Sequence, residues 1–297
     1  MMRSGDHYAV AVRTPDGKIA MKEETVGSGL SGLKKIPLIR GVFAFVDSLV
    51  LGTSALMWSA DVSSEEEPER ELSEKEKKKE ERIWNLMMTG TVIFSIALSV
   101  TLFILLPYFL ADILRRMGAA EVLVSAAEAI LRIVIFLIYM LLISRMKDIQ
   151  RVFAFHGAEH KCINCIEHGL PLTVENVLKS SRQHKRCGTS FLLFVVLVSV
   201  IAFLILGALG ITSPLWRFLA RLIMIPIIAG VSYEILRAAG SGKSRIANVL
   251  SRPGLALQKL VTREPDADMA EVAIAAVNAV FDWKDWQKRE LGISFEE

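Results

Sequence analysis

The chain has 297 residues, 52% of them hydrophobic, and a mean hydropathy of +0.41, too apolar for an ordinary water-soluble domain of this length. The basic residues behind its +3 net charge cluster beside apolar segments, where lysine and arginine are expected in any membrane protein. Nucleic acid is therefore not an expected partner.

Residues 1–35 form a polar N-terminal segment. Tyr8-Ala-Val-Ala-Val-Arg13 and Lys18-Ile-Ala-Met-Lys22 alternate around Thr14-Pro-Asp-Gly17, which predicts a β-hairpin with Gly17 at positive φ. Two strands alone are marginal, so the hairpin must pack on another element. The first thirty residues contain no apolar core, so no cleavable signal peptide is expected.

Residues 36–60 are apolar but place Arg40 and Asp47 on one helical face, which predicts an interfacial or re-entrant helix. Residues 61–90 are a charged linker with a helical Glu/Lys run from Ser63 to Arg82. Residues 91–236 hold four predicted transmembrane helices. Thr91–Leu110 and Ser190–Leu209 carry no charge, and each is long enough as a helix to cross a hydrocarbon core of roughly 30 Å. Val122–Ile143 is interrupted only by Glu128 and Arg132, one turn apart and able to pair. Phe218–Leu236 carries Arg221 and Glu234 near its ends, placed to snorkel or to face other helices.

In residues 237–297, Arg252-Pro-Gly-Leu and Thr262-Arg-Glu-Pro265 are expected to punctuate two short cytosolic helices, the second near Asp266–Phe281. No internal repeat stands out, so an inverted-repeat transporter has no support. The fold class is mainly α: a polytopic membrane protein with four transmembrane helices, a short N-terminal β-hairpin and cytosolic C-terminal helices.

Orientation follows from charge. The 144–189 loop holds Arg145, Lys147, Arg151, Lys161, Lys179, Arg182, Lys185 and Arg186, and Arg237, Lys243, Arg245 and Arg252 follow the fourth span. The other two connections hold only Arg115, Arg116 and Arg217. Positive charge is retained inside, so both termini and the 144–189 loop are expected in the cytosol.

That loop concentrates the chemistry. Cys162, Cys165 and Cys187, with His156, His160, His168 and His184, all fall between residues 156 and 187. Cytosolic thiols are reduced, so metal binding or thiol chemistry is the question rather than disulfides. The second span is predicted to continue as one helix to His168, stopped by Gly169 and Pro171. His156, Glu159 and His160 then share a face, whereas Cys165 and His168 lie opposite with Cys162 between them. The Cys-x2-Cys-x2-His string therefore does not converge with the histidine pair.

His156-Gly-Ala-Glu159-His160 spells the H-x-x-E-H pattern of inverzincin metallopeptidases. Two imidazoles one turn apart can hold a divalent metal such as zinc, and Glu159 between them can activate water. The alternative is a pair that only orients helix ends by hydrogen bonding. A third ligand is expected from His184-Lys-Arg-Cys187, which precedes the third span and returns to the same membrane face. Cys187 beside Lys185 and Arg186 at a helix start favours thiolate; it reads as a ligand or a packed side chain before it reads as a nucleophile. Glu175 and Glu234 are further carboxylates of interest, Glu175 chiefly as a helix-start acid.

Three motifs in order resemble the YqhQ-like family of bacterial membrane proteins: His156-Gly-Ala-Glu-His-Lys161, Thr173-Val-Glu-Asn-Val177 and Arg186-Cys-Gly-Thr-Ser-Phe191. The likeness extends to Met2-Arg-Ser, Pro15-Asp-Gly17, Arg40-Gly41 and Thr262-Arg-Glu-Pro-Asp266, nearly the whole chain. Members of that family commonly carry a few residues ahead of the Met2-Arg-Ser stretch, including a Gly-Val turn, which this sequence lacks. The resemblance implies a multi-pass protein of the bacterial plasma membrane, of unknown function and labelled a predicted metal-dependent enzyme.

Three functional readings follow. The first is a metal-dependent hydrolase with His156, His160, His184 and Cys187 as ligands and Glu159 as base, acting on a lipid-linked or membrane-protein substrate. The second is a non-catalytic scaffold braced by a structural metal. The third is a transporter, for which Arg40, Asp47, Glu128, Arg132 and Glu234 are the residues to test and which needs the chain to oligomerise.

Overall fold

The computed structural model describes residues 1–26, 36–63, 74–208, 214–240 and 245–293. The start of the charged run (64–73), Leu209 with the first half of the 210–217 connection, and Lys243 lie outside them. The chain divides into two compact units. One comprises Met1–Ser64, Met140–Val198 and Ile223–Glu297; the other comprises Glu65–Tyr139 and Ser199–Leu222.

The first unit begins with a three-stranded antiparallel sheet, β1 (Met2–Ser4), β2 (His7–Arg13) and β3 (Ile19–Thr25), in that order. The predicted hairpin is β2–β3, paired from His7↔Thr25 to Arg13↔Ile19 and closed by Gly17 at φ +84°. β1 is an additional strand, too short to show an alternation in sequence. The sheet finds its partners on both faces. Tyr8, Val10 and Val12 pack beneath Leu51, Ala55, Trp58 and Val62 of α1 (Ile39–Ser63). Arg13, alternating to the opposite face, reaches α10 (Ala267–Val280), where it bonds Glu271 at 2.7 Å.

α5 (Lys147–Glu167) is the centre of this unit. Ala158, Cys162, Cys165 and Ile166 pack against Ala270, Ala273 and Val277 of α10 and Val177 of α6 (Val174–Lys179). The small residues let the helices approach closely, and burial pushes both thiols up, as befits neutral core side chains. α10 begins where predicted, with Asp266 capping the Met269 amide at 2.8 Å. α11 (Trp283–Leu291) is a further C-terminal helix; its Gln287 donates to the carbonyls of Ile166 and Leu170, which end α5.

In the second unit, α2 (Glu74–Val100) runs through a π-helical stretch (Thr101–Leu105) into α3 (Leu106–Arg116). Pro107 has no N–H to bond the preceding turn, and the wider π turn accommodates it. The remaining long apolar helices, α4 (Glu121–Ile143), α7 (Gly188–Ala208) and α8 (Pro214–Gly240), each contribute residues to both units. Glu128 pairs with Arg132 at 3.0 Å as predicted, and also with Arg221 at 2.8 Å.

Five helices are long and apolar enough to cross a membrane, among them α1. Two expectations change. The second span does not continue as one helix into the 144–189 loop, because α4 ends at Ile143 and α5 restarts at Lys147. Side chains take over the carbonyls at the break: Arg263 Nη2 donates to Ser144 at 3.0 Å, and Gln150 to Arg145 at 3.0 Å. Finally, Arg252-Pro-Gly does not punctuate, since α9 (Arg245–Val261) runs through Pro253. The bare face of Gly254 is closed by Ser190, so packing holds this stretch helical; an added Cβ would lie 2.5 Å from the Ser190 hydroxyl.

Candidate metal centre

At about 3.6 residues per turn, the pattern of α5 puts His156, Glu159 and His160 on one side and the core cysteines on another. The structure keeps that division: Cys162 and Cys165 are fully buried in the apolar core, and His168 Nδ1 bonds the Asn164 carbonyl of its own helix. Gly157 explains why the motif needs a residue without a side chain. The Val261–Arg263 backbone crosses here, and a Cβ would sit 2.0 Å from the Arg263 carbonyl oxygen. Arg263 N donates to Phe153 O at 2.9 Å, fixing the crossing segment.

That crossing orients the first imidazole. His156 Nδ1 lies 2.9 Å from the Val261 carbonyl. A carbonyl can only accept, so Nδ1 carries the proton and the Nε2 lone pair is free in the neutral ring. His160 is held the same way, with Nδ1 2.7 Å from the Arg182 carbonyl. The 178–183 segment that supplies this carbonyl, the end of α6 and the turn after it, is pinned by α5 itself. Buried Lys161 donates to Leu178 O and Ser180 O, and Asn164 donates to Ser181 O and Gln183 O. Glu264 neutralises Lys161 at 2.9 Å.

The pinned segment leads to Cys187 at the start of α7. Its Sγ lies 3.2 Å from His156 Nε2 and 3.0 Å from the Thr189 hydroxyl. One ligand atom each from His156, His160 and Cys187 falls within 4.8 Å of the others. Tetrahedral zinc, with Zn–N about 2.0–2.1 Å and Zn–S about 2.3 Å, separates neighbouring ligand atoms by about 3.3–3.6 Å. The donor set is one that suits a borderline-soft divalent ion; His156 Nε2 and Cys187 Sγ are 3.2 Å apart, and all three ligand atoms lie within 4.8 Å of one another. Ligand histidines characteristically donate their other N–H to a carbonyl, as both do here. Burial raises the Cys187 thiol, but hydrogen bonds and charge from His156 and His160 outweigh it and bring the thiol down to about 5. Burial opposes protonation of His156, and the Cys187 sulfur with the Val261 carbonyl overcomes it, to about 8. Without an ion, both shifts favour the thiolate–imidazolium form of the pair near neutral pH.

Of the four predicted ligands the structure brings three together. His184 stands apart: its Nε2 faces Glu167 at 3.2 Å, and its ring centre is 6.0 Å from that of His160. Fully buried Gln258 clamps the His184 backbone through both N–H and C=O, setting that direction. Glu159 is near but not among the three; it lines a cavity beside His156 and makes no hydrogen bond or ion pair with a described residue. Glu175 pairs with Lys179 in the first turn of α6, and Glu234 with Arg40, so neither joins the site. Sequence reasoning missed the backbone carbonyls of Val261 and Arg182 and the clamps Gln258, Lys161 and Arg263. The available signals were Gly157 and a lysine adjoining the motif on a buried helix.

Fold and site together define a helical, membrane-type protein carrying a preorganised His2Cys cluster beside a small sheet. The chain belongs to the family described as protein of unknown function DUF1385, which matches residues 36–283. It is similar to the "Uncharacterized protein YqhQ" of Bacillus subtilis (strain 168), 36% identical over 277 residues that cover 92% of this chain and 86% of the relative. No solved structure matches. The YqhQ-like resemblance read from the motifs is thus borne out.

Proposed function

We infer that the protein is a metal-dependent hydrolytic enzyme of the bacterial plasma membrane, working at the cytosolic face. His156 Nε2, His160 Nε2 and Cys187 Sγ hold a divalent ion, zinc by donor type, and Glu159 is the general base. The observation that carries this reading is that both Nδ1–H groups are tied to carbonyls, leaving both Nε2 atoms free, while ligand atoms of the two imidazoles and the Cys187 thiol lie within 4.8 Å of one another. When bound, such an ion supplies Lewis acidity and a water of lowered pKa. The chain's own part is to keep three donors fixed while leaving a fourth position to water or substrate, and to hold a hydrogen-bond-free carboxylate near His156 for the proton.

Excess Lys/Arg in the 144–189 loop and after α8 supports cytosolic termini. The same side is the natural place for both ends of α1. Its first turns pack on the last turns of α8, with Gly41 against Gly230 and Arg40 paired to Glu234, and Phe45 meets Phe191 at the start of α7. Its last turns rest on β2. A spanning helix has its ends on opposite sides, so α1 lies in the plane of the membrane and the remaining four apolar helices cross it.

The test is metal content of the full-length protein purified in lipid nanodiscs. Wild type is expected to carry about one zinc per chain. His156→Ala and Cys187→Ser should lose it, whereas Glu159→Gln should keep it. Folded wild type that binds no divalent metal would overturn the reading and leave Cys187–His156 as a thiolate–imidazolium nucleophile.

A further inference from the structure

A cavity of about 490 Å³ opens beside the His156–Glu159 face of α5, a size typical of small-molecule sites. Its walls are mostly apolar, built from Val10 and Val12 of β2, Ala55 and Leu56 of α1, Phe155 of α5 and Ala276 of α10. His156 and Glu159 stand in the same wall, so the cavity adjoins both a metal ligand and the base. Two guanidinium groups line it as well, together with the carboxylate of Asp148. Arg13 is held by Glu271 and the Asp268 carbonyl. Arg151 lies 6.0 Å over the Phe155 ring and pairs with no described acid.

The position of α1 tells where an occupant comes from. One face of this helix covers the sheet; the other is an apolar stripe of Val46, Leu49, Val50, Leu56 and Met57, repeating at helical spacing and exposed. A helix with one packed and one bare apolar face lies in the interface with the bare face in lipid. Leu56 belongs to both surfaces: it is 62% exposed in the stripe and also lines the cavity. The cavity rim and the lipid-facing stripe are therefore continuous.

We propose that this cavity takes the hydrocarbon chain of an anionic amphiphile drawn sideways from the cytosolic leaflet, with its head group toward Arg151 and His156. Apolar walls select the chain, and the lipid-continuous rim selects an entrant from the bilayer over one from water. An unpaired guanidinium beside a divalent ion whose only charged ligand is one thiolate selects negative charge. What happens at the head group rests on the metal-centre reading; chain binding rests on the cavity alone.

The experiment uses the full chain in nanodiscs of phosphatidylethanolamine and phosphatidylglycerol, with a diazirine-bearing dodecyl phosphate as probe and zinc measured on the same samples. Crosslinks are expected on Val10, Val12, Ala55, Leu56 and Phe155. Gly52 lines the cavity and nothing lies within 4 Å of where its Cβ would be, so Gly52→Phe fills the space without a clash at Cβ. It should cut cavity labelling about tenfold while leaving zinc unchanged. Arg151→Ala should weaken labelling by dodecyl phosphate but not by the dodecanol analogue. Labelling confined to the α1 stripe and the spanning helices, unchanged in Gly52→Phe, would overturn the proposal. Zinc-loaded protein without cavity labelling removes the amphiphile site and leaves the metal centre. Cavity labelling in protein that binds no zinc removes the hydrolytic reading and leaves the amphiphile site.

Discussion

Each compact unit buries one cluster of ionisable side chains, and the two differ in what remains unbonded. In the second unit, each oxygen of Glu128 takes a different guanidinium, from Arg132 and from Arg221. Both arginines also lie over aromatic rings, at 4.3 Å for Arg132 on Phe203 and 4.6 Å for Arg221 on Tyr108. Such a carboxylate has nothing left for a passing ion, and the cluster reads as a brace between helices. In the first unit the hydrogen bonds go the other way. They consume the Nδ1–H groups of His156 and His160 and leave both Nε2 atoms free, that of His156 at Cys187 Sγ. Burial and polarity are common to both clusters; capacity for a ligand belongs to one.

The comparison breaks first, and by the largest amount, at Glu128. Removing a carboxylate that two buried cations share leaves them uncompensated, a cost of about 3–5 kcal/mol. Glu128→Ala should therefore lower the thermal unfolding midpoint severely, while the fraction that folds keeps its zinc. A variant that loses zinc without losing stability would show that Glu128 serves the metal centre rather than the helices. Gly157→Ala strikes the other cluster through its supports. The added methyl group meets the Arg263 carbonyl at 2.0 Å, so the crossing segment must move and take the Val261 carbonyl with it. The expected cost is about 1–3 kcal/mol in stability. Zinc affinity should fall by about 10–100-fold, as for other losses of a group that orients a ligand. Unchanged affinity measured by chelator competition would mean that the Val261 hydrogen bond does not orient His156.

These two variants also mark what the sequence makes legible. The apolar spans, the hairpin and α10 announce themselves because their patterns are local: twenty-residue apolar runs, period-two alternation, a helical stripe after an Asp cap. The facing of α5 is likewise legible, since one helix fixes the angles between His156, Glu159, His160, Cys162 and Cys165. The break between α4 and α5 is not, because no proline or glycine causes it; Arg263, over a hundred residues away in sequence, captures the freed carbonyl. Pro253 misleads for the converse reason, since local chemistry that usually ends a helix is overridden by packing on Ser190. His184 has the right residue type and sequence distance for a ligand, but Gln258 and Glu167 turn it away. The carbonyls that orient the two imidazoles have no residue signature at all.

The smallest effect separates the cysteines. Cys162 and Cys187 are both buried thiols between residues 156 and 187, yet the first belongs to the apolar core cluster with Ala158, Val177 and Ala273 and the second touches His156 and Thr189. Cys162→Ala removes one small apolar contact from a packed core and should cost about 1 kcal/mol with zinc content unchanged. Iodoacetamide gives the complementary measurement. In chelator-treated protein Cys187 should be alkylated well before Cys162 or Cys165, since burial keeps those two thiols protonated while His156 and His160 stabilise thiolate at Cys187. Restoring zinc should protect Cys187 alone. Alkylation of all three at one rate would mean that the core and the site open together, and the distinction drawn between the two faces of α5 would not survive it.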